Sequence, residues 1–191
     1  SYKGLMQANQ LFMEEQWISR GQNPGSEIYN EPELLRVCMR VPFSTLNCVV
    51  RIQFKPEDAD RKIDETHAYF ESRNVPMIWE VGPTSSPHDI RKRLLNHGAT
   101  FVEDQPAMTI NLEKLRPTNL LPDGLTIKHV DNETDLQLWG HAVHTGSNMP
   151  KPILKVFVNM YKSIGYGREN GWRHYMALLN SEPVGTASLF L

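Results

Sequence analysis

Glycine and proline cut this chain into short pieces, and that punctuation limits what it can fold into. Breaks fall at Gly21, Pro24 and Gly25, at Val75-Pro76, at Gly82-Pro83, at Gly98, across 116–124 and at Gly165-Tyr166-Gly167. Proline lacks an amide hydrogen and fixes φ, while glycine closes helices readily, so regular structure stops at such points. Short helices and short strands therefore alternate, with no low-complexity tract and no short-period repeat. No stretch approaches the roughly 18 consecutive apolar residues of a membrane span. The chain has 191 residues, 40% apolar and 22% charged, the balance of a globular fold. Its formal net charge of -2 argues against a large nucleic-acid surface. Two cysteines, Cys38 and Cys48, make neither a disulfide framework nor a zinc knuckle. No basic stretch precedes an apolar run near Ser1, so the expectation is a cytoplasmic protein without a membrane partner.

The segments read as follows. Leu5 to Ile18 is an amphipathic helix with Leu5, Phe12 and Ile18 near one stripe. Glu31 to Cys38 reads as a second, short helix with Pro32 in its first turn. Leu46 to Phe54, rich in valine, is a strand. Pro56 to Arg73 is helical, with Ile63, His67 and Phe70 at helical spacing. Met77 to Val81 is a short strand. Pro87 opens a helix whose buried face is Ile90, Leu94 and Leu95, closed by Gly98. Phe101 and Ala107 to Leu112 supply another extended segment. Arg116 to Gly124 reads as a linker, dividing the chain into 1–117 and 118–191. Beyond it, Leu125 to Val130 is a strand and Glu133 to Thr145 a helix capped by Asn132 or Thr134. Pro150 and Pro152 open a helix ending at Ile164. Trp172 to Leu179 and Pro183 to Leu191 form a hairpin. The class is α+β, with mixed, mainly antiparallel sheets flanked by helices.

The phosphate cradles GxGxxG and GxxxxGK[ST] are absent, as are HExxH and GxSxG. His141 and His144 sit at i and i+3 on a helix, with His129 nearby in sequence. That spacing offers a metal-dependent hydrolase as one reading and a packed or solvated helix face as the plainer one. No metal is expected. Trp172, His174 and Tyr175 alternate on a strand, so Trp172 and His174 share one face and Arg173 and Tyr175 the other.

The stretch WRHYMALLNSEPVGTASLFL, from Trp172 to Leu191, resembles the hairpin of GNAT-superfamily N-acetyltransferases, with its strand, polar turn, E-P-V-G and second strand. LTIKHV and the two helices after it fit the segments before that hairpin. MIWEVGPTSSPHDIRKRLLNHGATF is similar to a later part of such a domain. The resemblance implies a tandem protein. Residues 1–117 are then a degenerate GNAT-like half, and 118–191 the N-terminal, acceptor-side part of a GNAT domain cut before its acetyl-CoA pyrophosphate loop. It implies acetyl-CoA as cofactor of the complete protein, an acyl group passed to a small-molecule or peptide amine, and Trp172, His174 and Tyr175 bordering the amine's cleft, with the lean toward Trp172 and His174. It assigns no catalytic residue. The loop Phe54 to Asp60 carries no glycine and three acids, so no cofactor is expected on this chain alone. The alternative is a non-catalytic binding or assembly module reusing the fold. The strand ending near Leu191 is expected to offer an edge where copies could pair.

Overall fold

The computed structural model describes residues 2–116, 121–147 and 149–191. The chain forms two compact units, Ser1–Lys114 and Leu115–Leu191. A boundary at 117/118, and much of the 116–124 linker, lie outside the described residues.

In the first unit, helix α1 (Tyr2–Gly21) leads into strands β1 (Glu27–Glu31), β2 (Leu34–Cys38) and β3 (Asn47–Ile52). Helix α2 (Ala59–Glu71) crosses to strand β4 (Ile78–Trp79), and α3 (Ile90–Asn96) follows. The sheet order is β1-β2-β3-β4, antiparallel except for the parallel pair β3-β4 that α2 connects. Leu34, Val49, Ile52 and Phe54 pack with Ile63 and Phe70 of α2 and Ile90 and Leu94 of α3. On the sheet's other residues lies α1, where Gly21 sits close to Ile28 and Val37.

The segment expected as a second helix is instead the β1-β2 hairpin. Pro32 and Glu33 form its two-residue turn, with Glu31 opposite Leu34. Leu34, Leu35, Val37 and Cys38 are all buried, which a strand covered on both faces achieves and a surface helix of that length does not. Proline serves equally at a helix start and a tight turn, and the dense apolar run decides.

Helix α1 forms, but its inward face is not the expected stripe. Leu5 and Phe12 are exposed, while Glu14 and Trp17 are buried. The inward polar groups are bonded: Gln10 donates to the Val50 carbonyl at 3.0 Å, and Arg51 donates to Glu14 through Nε at 3.0 Å. Leu95 of α3 is likewise exposed, leaving Ile90 and Leu94 to anchor that helix. Residues 99–111 have no regular hydrogen bonding, and Phe101, Met108 and Ile110 are exposed. The extended segment expected there belongs to no sheet among the described residues.

The second unit is an antiparallel sheet in the order β5 (Leu125–His129), β6 (Trp172–Leu179), β7 (Glu182–Phe190), with α4 (Glu133–Ser147) and α5 (Lys151–Ile164) between the first two strands. Asn132 caps α4, its Oδ1 accepting the Asp135 amide at 2.9 Å. Proline lies in the first turn of α5, and Gly165 ends it at φ 96°. Asn180 and Ser181, at φ 50° and 72°, make the two-residue turn that suits the right-handed twist of a hairpin. Both sheets and their helices are of the α+β class. No helix among the described residues is long and apolar enough to cross a membrane.

Candidate functional site

The strand β6 sorts its side chains by parity. Trp172, His174 and Met176 are buried, whereas Arg173, Tyr175 and Ala177 are half-buried. The buried set meets the helices. Trp139 of α4 stacks on the His174 ring at 4.1 Å between centroids, and Tyr161 of α5 meets His174 edge-on at 4.3 Å. Phe157 stacks on Trp139 at 5.6 Å, and Trp172 contacts Tyr161 and Phe190 at 5.1 and 4.8 Å. His174 is 0% exposed, and its Nδ1 is 2.8 Å from the Ser188 hydroxyl of β7. Trp172 and His174 are therefore the aromatic heart of the second unit.

Tyr175 lies on the other face. Its ring is 4.3 Å from that of His129, the residue paired with it on β5. His129 Nδ1 is 3.4 Å from Asp131 Oδ1, and Arg168 Nε donates to Asp131 Oδ2 at 3.2 Å. Imidazole, carboxylate, guanidinium and phenol thus gather at one end of β5 and β6, a set able to hold a polar ligand and to move a proton. Asp131 and Arg168 lie in loops that sequence spacing did not connect, and only the register of β5 on β6, neighbouring strands separated in sequence by two helices, brings His129 to Tyr175.

His141 and His144 share a face of α4 with ring centroids 6.0 Å apart. His144 Nδ1 is turned onto the Met149 carbonyl, and His129 is placed instead beside Tyr175. Among the described residues, no group of three or more histidines, cysteines and acids is placed to hold a metal ion.

In the first unit, the loop ahead of α2 is the position at which the resemblance would put a pyrophosphate. A helix N-terminus attracts anions. Here Asp58 stands at the N-cap position of α2 without a side-chain capping bond, and Asp60 lies in the first turn. Arg61 bonds the Asp58 carboxyl at 2.8 Å and holds it below the usual carboxylate range, so it stays charged. Asp60 pairs with Arg93 at 2.6 Å. These carboxylates occupy the favourable end of the helix themselves, and the loop does not fit a pyrophosphate.

No protein-family model matches this chain, and no curated protein matches it. A solved structure described as a GCN5-related N-acetyltransferase from Kribbella flavida is similar, with a TM-score of 0.68 and 14% identity over 94% of this chain. The fold is thus GNAT-like. The chain spans 65% of that neighbour's length.

Proposed function

We propose that the chain is the N-terminal portion of an acetyl-CoA-dependent N-acyltransferase that acts on a small-molecule or peptide amine. The likeness in fold to a GCN5-related N-acetyltransferase, over 94% of the chain but 65% of the neighbour, is the observation that carries the reading. The first unit is then a GNAT-like half without a cofactor loop, in keeping with the acids at the start of α2. The second unit is the acceptor side. There Tyr175, with His129 and Asp131, borders the amine, and Trp172 and His174 form the packed wall behind it that fixes the strand. Acetyl-CoA is held by the remainder of the protein, and the outer edge of β7 is where a further strand, or a second copy, pairs.

The test compares this chain with its reading frame extended past Leu191. Release of free thiol from acetyl-CoA is followed over a panel of amines. Turnover by the extended protein, lost in its Tyr175→Ala variant and absent from the short chain, is expected. An extended protein that folds, binds no acetyl-CoA and transfers no acyl group would overturn the reading. It would favour a binding module reusing the fold, the alternative that the acidic start of α2 in the first unit supports.

A further inference from the structure

Two guanidinium groups contact the ring of Tyr69, and they are treated differently. Arg73 lies 3.6 Å from the ring centroid and is neutralised by Glu27, with Nη2 to Oε2 at 2.6 Å. Arg36 lies 3.7 Å from the same centroid and 4.6 Å from that of Tyr29, so it is held between two phenols. No described residue gives it a hydrogen bond or an ion pair, and its Nε is buried without an acceptor. A buried donor left unpaired is destabilising, and the guanidinium fork remains to be matched.

Arg36 lines a pocket of about 360 Å³ between β1, β2 and α2, together with Tyr29, Tyr69, Lys62 and Thr66. Two acids lie on its rim, and both are already engaged: Glu33 with Lys62, and Glu65 with Arg61 at 2.6 Å. The charge left over is the single positive charge of Arg36. We propose that this pocket is a binding site for a small organic monocarboxylate, its carboxylate bidentate on the Arg36 guanidinium and its body, preferably planar and unsaturated, against Tyr29. One uncompensated positive charge matches a monoanion and leaves a dianion half-neutralised, which selects a carboxylate over a phosphate. The volume suits a ligand of this size. Every residue lining the site belongs to the first unit, and the proposal does not depend on acyl transfer.

The probes are benzoate, acetate and inorganic phosphate, titrated into the full chain while the Arg36 Nε–Hε resonance is followed by NMR. Benzoate is expected to saturate with a Kd of about 1 mM or tighter, acetate more weakly, and phosphate not at all. Arg36→Met should weaken benzoate at least tenfold. Arg36→Lys, which keeps the charge but not the fork, should weaken it at least threefold, and either variant with an unchanged far-ultraviolet spectrum serves. Absence of a saturable shift in the parent chain overturns the proposal, as does unchanged benzoate affinity in a folded variant. Phosphate binding more tightly than benzoate overturns the carboxylate assignment.

Discussion

The imidazole of His174 lies against the indole of Trp139, with ring centroids 4.1 Å apart and planes 29° from parallel. This contact joins β6 to α4 at the centre of the second unit, where both residues are almost wholly buried. Trp139→Ala should therefore cost about 3–5 kcal/mol, the range for deleting a buried large aromatic. His174→Phe keeps a ring against the indole but loses the bond to the hydroxyl of exposed Ser188, a loss of about 0.5–1.5 kcal/mol. Urea unfolding followed by tryptophan fluorescence checks both. Equal costs for the two would show that stacking is not what holds the strand.

Gly140 of α4 offers a test of sign. Alanine is the better helix former by about 1 kcal/mol. A β-carbon at 140 would lie 2.3 Å from Cγ2 of Val158 on α5, so the helices would have to part. Overpacking of this kind costs about 1–3 kcal/mol, and the net effect of Gly140→Ala should be destabilising. Gly140→Ala combined with Val158→Ala should recover part of the loss in the same unfolding assay.

Ser181 sits at φ 72° in the β6-β7 turn, a region that favours glycine. With Asn180 before it, Ser181→Gly would create the Asn-Gly pair such turns prefer. Relieved strain of about 1–2 kcal/mol outweighs the roughly 0.4–1 kcal/mol that glycine's freedom in the unfolded chain costs, so a small net gain is expected. A lower denaturation midpoint would argue against the observed turn geometry.

Two clusters of the first unit should respond to pH in opposite directions. Glu27 is lowered from 4.5 to about 2, first by the Arg73 hydrogen bonds and then by those of Tyr69 and Arg40. Its stabilisation is complete above the unfolded pKa and disappears as pH falls from about 4.5 to about 2. His97 is raised above 6.5 by its bond to Asp64, with Asp60 adding to it. Its stabilisation is complete below about pH 6.5 and disappears as pH rises through the folded pKa. Thermal midpoints of the parent, Glu27→Gln and His97→Gln across pH 2–9 should show the first variant's deficit closing in acid and the second's closing in base. Deficits independent of pH would contradict both assignments.

The parts of this fold that sequence made visible are those fixed by local chemistry. Pro152 and Gly165 bracket α5, Asn132 caps α4, and the alternation from Trp172 to Met176 separates the faces of β6. The parts that escaped depend on distant partners. Glu14 faces the sheet because Arg51 receives it, and hydropathy alone turns that face of α1 outward. The β1-β2 hairpin was hidden because Pro32 suits both a helix start and a turn, and only coverage of both faces chooses between them. In the candidate site, Tyr175 was legible as a strand residue. His129 was legible as one too, but its place beside Tyr175 was not, since the pairing is set by the register of β5 on β6.

Residues 101–116 are exposed throughout, and 99–111 lack helix and strand hydrogen bonds. A protease needs an extended backbone that it can draw into its cleft, with an apolar side chain to seat in its specificity pocket. This tract presents both, through Phe101, Met108 and Leu112, while the strands of each sheet all come from one unit. A brief chymotryptic digest should therefore act as a dissection, cutting first between 101 and 116 and leaving two fragments that each retain a sheet of their own.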